Sequence, residues 1–263
     1  MDRTLIFDVG AHAGDDSDFY LAKGFRVVAV EAAPNLCERL QKRFAHYDAR
    51  FTLVNAAITN NRGPVNFLAN PGASIWGTLD PDFAARNAKL GFPSQEVEVP
   101  GVRLQDLLAS YGVPYYLKID IEGADLTCLC ALADSTERPQ YASIESEKKD
   151  WKGLLREFEI FSDLGYRKFK VVDQRFHKLT KPPVPAKEGA SVDYTFKGHC
   201  SGLFGEEIPG GWLTAEEAIR EYSRIFRHYR LFGDDGLIPG VVRNLFPEHR
   251  KWGAAWYDTH AAL

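Results

Sequence analysis

Acidic side chains occur in closely spaced pairs at the ends of two apolar runs of this chain. Asp120 and Glu122 end one run, and Glu145 and Glu147 end the other. Residues two apart on a strand face the same side of a sheet, and ligands of open α/β sheets bind beyond the carboxyl ends of the strands. The spacing therefore indicates an acidic site, in which one carboxylate, its pKa raised by its neighbours, could remove a proton from a nucleophile.

Other roles are open for these carboxylates. Together they could hold Mg²⁺, which prefers oxygen ligands. Some of them could instead bind the amino group of a cofactor or form ion pairs with nearby lysines, which are Lys118, Lys148 and Lys149. His12 or His199 could also act as the base, although an isolated histidine usually has a structural role.

The N-terminal residues carry the pattern of a nucleotide-binding half-sheet. An apolar run over 5–9 is followed by a turn bracketed by Gly10 and Gly14, a helix predicted over 15–23, and a second apolar run that ends in Glu31. Glycines allow the backbone to approach a ligand closely, and an acid at the end of the second strand can accept hydrogen bonds from ribose hydroxyls. The pattern predicts that the chain binds an adenosine-containing cofactor.

The spacing of the turn favours S-adenosylmethionine over NAD. A dinucleotide fingerprint requires G-x-G-x-x-G, whereas here Gly10 and Gly14 are four positions apart and His12 occupies the place of the second glycine. Asp15 and Asp16 suit the start of a helix but would repel a pyrophosphate. D-x-G-x-x-x-G before a helix is the form usual in S-adenosylmethionine enzymes, although an NAD(P)-dependent oxidoreductase remains an alternative.

Composition restricts the class of protein further. The chain has 263 residues, 45% of them hydrophobic, which suits one α/β domain with an appendage, and its net charge of −4 argues against a nucleic-acid partner. We expect no membrane span or signal peptide, because no apolar run approaches about 18 residues. The cysteines do not suggest disulfides, and Cys128 and Cys130 are expected to be packing residues because no second metal-binding pair accompanies them. A cytoplasmic location is expected.

Strands and helices are predicted to alternate along most of the chain. The predicted later strands are 51–58, 65–68, 96–102, 115–123, 141–147, 166–172 and 192–196, the last two as a closing antiparallel pair. The predicted later helices are 32–47, 104–111, one starting near 124, 151–164 and 214–231. We expect a main domain over 1–197 and an extension over 198–263 that packs on it and whose segment 201–212 closes over the acceptor.

Three blocks of sequence resemble the FkbM family of S-adenosylmethionine-dependent methyltransferases. They are IFDVGAHAGDD at 6–16 with RVVAVEAAP at 26–34, NAAI at 55–58, and LKIDIEGADLTCL at 117–129. The third block is the most specific, and the resemblance extends over about residues 4 to 165. It implies an α/β, Rossmann-like class I methyltransferase fold with a mostly parallel seven-stranded sheet, helices on both faces and a C-terminal helical extension.

The resemblance also implies roles for individual residues. The cofactor-binding residues it implies are Asp8, Gly10, His12, Gly14, Glu31, Ala32, Ala57 and Asp120. It matches Asp120 and Glu122 to acids near the methyl donor and acceptor. Together with His12, the candidate base in the turn, they are the expected catalytic residues. Residues 55–57 are expected to flank the adenine and residues 73–75 to close over the cofactor. No metal ligand is assigned, so Mg²⁺ remains an alternative that is not favoured.

The expected function is methylation of a hydroxyl on a small molecule or sugar. N-methylation, an oxidoreductase and a non-catalytic nucleoside-binding protein are the alternatives. Three aromatic residues, Trp76, Phe204 and Trp212, could line the acceptor pocket or could simply pack in the core. The expected partner is a small-molecule acceptor, with no nucleic acid or membrane, and a homodimer is also expected.

Overall fold

The computed structural model describes residues 1–146, 150–197, 200–233, 236–238 and 255–263. Its strands are β1 (Asp2–Val9), β2 (Arg26–Glu31), β3 (Phe51–Asn55), β4 (Ala57–Ile58), β5 (Gly63–Ala69), β6 (Gln95–Val102), β7 (Pro114–Ile119), β8 (Tyr141–Glu145), β9 (Lys168–Asp173) and β10 (Tyr257–Ala262). Its α-helices are α1 (Asp15–Ala22), α2 (Pro34–Phe44), α3 (Pro81–Lys89), α4 (Leu104–Tyr111), α5 (Asp125–Cys130), α6 (Trp151–Asp163) and α7 (Ala215–Phe232). Four residues with expected roles, Glu147, Lys148, Lys149 and His199, lie outside the described residues.

Seven strands form one sheet in the order β3-β2-β1-β7-β8-β10-β9. β3, β2, β1, β7 and β8 pair in parallel, whereas β10 is antiparallel to both of its neighbours, β8 and β9. The order reverses between β1 and β7, so the carboxyl ends of these two strands border the crevice where an open α/β sheet binds its ligand. The expected mostly parallel, Rossmann-like class I methyltransferase fold is confirmed.

The sheet buries both of its faces. Leu5, Phe7 and Val9 of β1 point to one face, where they join a core built with α4, α5, α6 and α7. Ile6 points to the other face and packs with residues of α1, α2 and the segment 196–208. This alternation is the period of two that a strand imposes on its side chains, and it confirms helices on both faces.

The closing antiparallel strand differs from the prediction. Residues 192–196 form no strand, and β9 pairs instead with β10 near the C-terminal end of the described chain. The rings of Tyr194 and Phe196 both pack against the ring of Phe19, with centroid distances of 5.1 and 4.8 Å. The extension after residue 197 therefore contributes an inner strand of the sheet in addition to α7.

A smaller sheet lies between β3 and β7 in the sequence. Its order is β4-β6-β5, with β5 and β6 antiparallel. The region before β6 contains α3, which is not among the predicted helices. Its start is fixed by Pro81 in the first turn and by the Asp80 side chain, which accepts hydrogen bonds from the N–H groups of Asp82 and Phe83. The segment from β4 to β6 is therefore an insertion between strands of the main sheet. Its short turn Ser74–Trp76 borders a cavity at the carboxyl ends of the main-sheet strands.

None of the helices in the described ranges is both long and apolar enough to cross a membrane. The longest of them, α7, carries charged residues on one side and buries Ala218, Tyr222, Ile225 and Tyr229 on the other. Its start is held by a capping box between Thr214 and Glu217.

Candidate functional site

One cavity of about 890 Å³ opens at the carboxyl ends of β1, β2, β7 and β8. Most of the expected site residues line it. They are Gly10, His12, Glu31, Ala32, Ala57, Asp120 and Glu122. Asp8 and Gly14 are not among the lining residues, so the structure places them behind the wall of the cavity.

Glu31 ends β2 and is held from two sides. Its Oε2 accepts the backbone N–H of His12 and its Oε1 accepts the backbone N–H of Ala33, each at 2.8 Å. The side chain is buried, and this burial raises the pKa of Glu31 despite the two hydrogen bonds. A carboxylate oxygen can accept more than one hydrogen bond, so both oxygens are still able to accept from ligand hydroxyls.

The two glycines of the turn have a packing role in addition to the expected one. A β-carbon at Gly10 would lie 1.8 Å from the carbonyl oxygen of Asp120, and one at Gly14 would lie 2.5 Å from the ring of Phe44. Both residues have φ near +84°. The glycines thus allow the turn to pack against the end of β7 and against α2. Close approach of the Gly10 backbone to a ligand stays a prediction.

Replacing Gly10 with alanine is expected to destabilise the protein and to weaken cofactor binding. Gly24→Ala is the matched control, because Gly24 also has a positive φ of 91° but has no atom within 4 Å of its β-carbon direction. Positive φ alone costs alanine roughly 1–2 kcal/mol, so Gly10→Ala should lose more than this in a urea unfolding experiment. Equal losses for the two variants would show that the contact with Asp120 is not tight.

Lys118 of β7 lies under the turn and contacts three carboxylates. Its Nζ is 3.4 Å from oxygens of Asp8, Asp16 and Asp120. Asp8 is fully buried and accepts a hydrogen bond from the Ser17 hydroxyl at 2.6 Å. The three negative charges raise the pKa of the Lys118 ammonium well above its ordinary value, although burial opposes this. Ion pairing with Lys118, one of the roles left open by the sequence, is therefore present for Asp120.

The expected acidic site forms at the ends of β7 and β8. Carboxylate oxygens of Asp120, Glu122 and Glu145 lie within 4.8 Å of one another. Burial, followed by the charges of Glu145 and Asp120, raises the pKa of Glu122 to about 10. Oxygen ligands of this kind suit a hard cation such as Mg²⁺. A neutral carboxyl group can donate a hydrogen bond, whereas an ionised one can only accept it.

This raised pKa predicts a pH-dependent stability. Between the ordinary pKa of 4.5 and the folded value of about 10, the folded protein keeps a proton on Glu122 that the unfolded chain releases. The free energy of unfolding therefore falls as pH rises through this range, by on the order of 1 kcal/mol per pH unit. Asp16, with a pKa raised to about 7 by burial, adds to the fall below pH 7.

Urea unfolding of the ligand-free protein from pH 5 to pH 8 tests this expectation. Glu122→Gln should show a smaller fall than the wild type, whereas Glu98→Gln, at an exposed position of β6, should follow the wild type. Wild-type and Glu122→Gln curves that run parallel would contradict the pKa assigned to Glu122.

His12 connects the turn to the inserted segment. Its ring Nε2 lies 2.9 Å from the hydroxyl of Ser74, and its backbone has a φ of 48°. Ser74 and Ile75 both line the cavity, and the closure of residues 73–75 over a cofactor stays a prediction. The Thr78 hydroxyl donates to the carbonyl oxygen of Glu122 at 2.6 Å, which ties the same segment to the acidic site.

The aromatic residues suggested for the acceptor pocket separate into two groups. Trp76 lines the cavity. Phe204 is buried and stacks on Tyr116 at 4.7 Å, and Trp212 stacks on Tyr141 at 6.0 Å, so both pack away from the cavity. Of the segment 201–212, only Ser201 is a lining residue.

Several lining residues escaped the sequence analysis because they come from distant elements. They are Gln174, His177, Tyr229, Trp256 and Asp258. Asp258 is buried on β10 directly opposite Glu145, and burial raises its pKa well above the ordinary value. Its Oδ2 accepts a hydrogen bond from the Gln174 amide. The one sequence feature that could have indicated Asp258 is the presence of an acid in a short segment of small and aromatic residues.

Comparisons with known proteins give one family and several distant structures. No curated protein matches the sequence. Precorrin-6y C5,15-methyltransferase from Geobacter metallireducens is 16% identical over 66% of this chain and 68% of its own, with a TM-score of 0.37. A putative sarcosine dimethylglycine methyltransferase from Galdieria sulphuraria is 9% identical over 100% of this chain and 78% of its own, with a TM-score of 0.41. A SAM-dependent methyltransferase from Archaeoglobus fulgidus is 12% identical over 98% and 86%, with a TM-score of 0.38.

The family comparison is more specific than these overall similarities. The model of the methyltransferase FkbM domain matches residues 8–168, which contain the turn after β1, Glu31 and the acidic end of β7. The match covers more than half of the chain and agrees with the resemblance carried by the three sequence blocks. This protein belongs to the FkbM methyltransferase family.

Proposed function

We propose that this protein transfers a methyl group from S-adenosylmethionine to a hydroxyl of a small molecule or sugar. The observation that carries the proposal is the continuity of one cavity from the Glu31 side of the turn to the acidic site at the ends of β7 and β8. In-line methyl transfer needs a donor and a nucleophile aligned in one enclosed space. The cavity provides a cofactor half and an acceptor half that meet at Asp120.

The cofactor half is assigned residue by residue. Glu31 would accept hydrogen bonds from the ribose hydroxyls, because its two oxygens are already oriented by backbone N–H groups. Ala32 and Ala57 are small lining residues that suit the flat adenine. Asp120 would bind the amino group at the other end of the cofactor, with the turn from Gly10 to His12 beneath it. Asp8 and Gly14 would act only indirectly, by shaping that turn.

The acceptor half favours a hydroxyl nucleophile. Carboxylate oxygens of Glu122 and Glu145 lie within 4.8 Å of each other, and the charge of Glu145 favours the protonated form of Glu122. A protonated Glu122 could donate a hydrogen bond to an acceptor, and an ionised Glu145 could remove the proton from its hydroxyl. Trp76 and Trp256 offer aromatic surface for a ring-shaped acceptor. The acceptor's hydroxyl oxygen would attack the methyl carbon while the bond between that carbon and the sulfonium sulfur breaks, leaving S-adenosylhomocysteine. The hydroxyl proton would pass to the ionised member of the carboxyl pair.

We propose further that the transfer requires no divalent cation. Asp120 is already paired with Lys118, whose ammonium lies 3.4 Å from its Oδ2. This ion pair partly neutralises Asp120 and places a positive charge beside the carboxyl cluster, which disfavours a second cation there. Calorimetric titration of the S-adenosylhomocysteine complex with MgCl₂ should therefore give no saturable binding. Saturable binding that disappears in Glu145→Gln would overturn this proposal.

Calorimetry with S-adenosylhomocysteine, and with NAD in parallel, tests the function first. Micromolar affinity for the former and none for the latter are expected. A preference for NAD would favour an oxidoreductase, and binding of neither would contradict the assignment of the turn. The next experiment is transfer of a radiolabelled methyl group to a panel of sugars and small alcohols, with the matching amines as controls. Cofactor binding without transfer to any acceptor would favour a nucleoside-binding protein.

A further inference from the structure

Lys118 is a buried residue beside the cavity that takes no direct part in the proposed reaction. Its side chain is 4% exposed, and its Nζ lies 3.4 Å from Asp8, Asp16 and Asp120. These carboxylates belong to the end of β1, the start of α1 and the end of β7. One ammonium group therefore joins the three elements that form the cofactor turn and its floor.

The three carboxylates are not equivalent. The side chains of Asp8 and Asp16 are 0% and 4% exposed, whereas that of Asp120 is 38% exposed and borders the cavity. Asp8 is also fixed by Ser17, and Asp16 accepts the backbone N–H of Ser201 with both oxygens, at 2.9 and 3.1 Å. Asp120 has Lys118 as its one side-chain partner among the contacts described above.

The backbone of Asp120 is also fixed. Its N–H donates to the carbonyl oxygen of Val9 at 2.9 Å, and its carbonyl oxygen packs against Gly10. The remaining freedom is rotation of the side chain, which the contact between Oδ2 and Lys118 restricts. Oδ1 is then left for a ligand in the cavity. A carboxylate held in this way loses less conformational entropy when it binds a ligand.

We propose that Lys118 is a positioning residue that orients Asp120 toward the amino group at the aminobutyrate end of the cofactor. This inference rests on the proposed function, because it assumes S-adenosylmethionine in the cavity. It separates two parts of cofactor affinity: the ribose depends on Glu31, and the amino group depends on Asp120 held by Lys118.

Two ligands distinguish a positioning role from a purely structural one. S-adenosylhomocysteine has the amino group, whereas 5′-methylthioadenosine lacks the aminobutyrate end and retains the ribose and adenine. Calorimetry should show that Lys118→Met weakens the former by about tenfold, the loss expected for a weakened charge-assisted hydrogen bond. Affinity for 5′-methylthioadenosine should change less than about twofold. Asp120→Asn should show the same selectivity, and the double variant should lose no more than Asp120→Asn alone, because the two residues act on one contact.

The outcomes separate this inference from the proposed function. If the wild type binds neither ligand, the proposed function fails. If the wild type binds both and Lys118→Met weakens both equally, Lys118 has only a structural role and the inference is overturned. Additive losses in the double variant would overturn it as well. If Lys118→Met does not fold, Asp16→Asn/Lys118→Met, which removes one of the unpaired buried charges, is compared with Asp16→Asn by the same titrations.

Discussion

Replacing Glu31 with alanine is expected to weaken S-adenosylhomocysteine binding by at least a hundredfold. The proposed contacts are two hydrogen bonds from ribose hydroxyls to a charged acceptor, and each such bond contributes about 1.5–3 kcal/mol. The variant also loses the acceptor for the N–H groups of His12 and Ala33, so the turn loses part of its support. The binding loss should apply equally to 5′-methylthioadenosine, which retains the ribose.

A matched control is available on the neighbouring helix. Glu38→Ala removes the same charge from an exposed position of α2 and should leave the affinity unchanged. Calorimetry gives the affinities, and thermal unfolding shows how much of each variant is folded at the titration temperature. Unchanged affinity in a folded Glu31→Ala variant would disprove the ribose contact, and with it the central assignment of the cofactor half.

Replacing Thr259 with proline is expected to unfold the protein or to abolish its cooperative unfolding. Thr259 is the third residue of β10, which is hydrogen-bonded to β8 on one side and to β9 on the other. Proline removes a backbone donor and does not fit an inner strand, so a loss of about 3 kcal/mol or more is expected. That loss is a large part of the stability of an ordinary domain.

Thr259→Ala is the control at the same position. It keeps the backbone N–H but removes the hydroxyl, which lies 2.6 Å from the Ser146 hydroxyl and 2.8 Å from the Tyr222 hydroxyl. Alanine should cost about 1–3 kcal/mol, the range for leaving buried polar groups without a partner. Circular dichroism and urea unfolding distinguish the two variants. A proline variant as stable as the alanine variant would mean that β10 is not required for the sheet.

The sequence predicted the cofactor half of the fold well because local signals agree there. Apolar runs, the glycines of the turn and the acid at the end of β2 follow each other within the first 31 residues, so no distant contact is needed to interpret them. The C-terminal strand could not be predicted in the same way. Tyr257–Ala262 contains small and polar residues that are buried only because strands lie on both sides, a property of the assembled sheet rather than of the segment.

The acidic site shows the same division. The spacing of Asp120 and Glu122 predicted that they share one face of a strand, but β7 ends at Ile119 and both residues lie in the turn beyond it, where Glu122 has a φ of 48°. Glu145 lies near them because parallel neighbouring strands end at one edge of the sheet. Asp258 lies on β10, which runs antiparallel to β8, so the start of β10 rather than its end lies at that edge. The role of Gly10 was also out of reach, because the carbonyl group that it must avoid is 110 positions away in the sequence.

The position of β10 has a consequence for how the protein is made. During translation, β8 and β9 emerge well before the strand that separates them, and until then one edge of β8 has unpaired backbone groups and apolar residues beside it. Such edges promote pairing with other chains. The nascent chain must therefore postpone closure of its sheet until residues 257–262 have left the ribosome. Premature termination before them should yield an aggregation-prone product rather than a smaller folded protein.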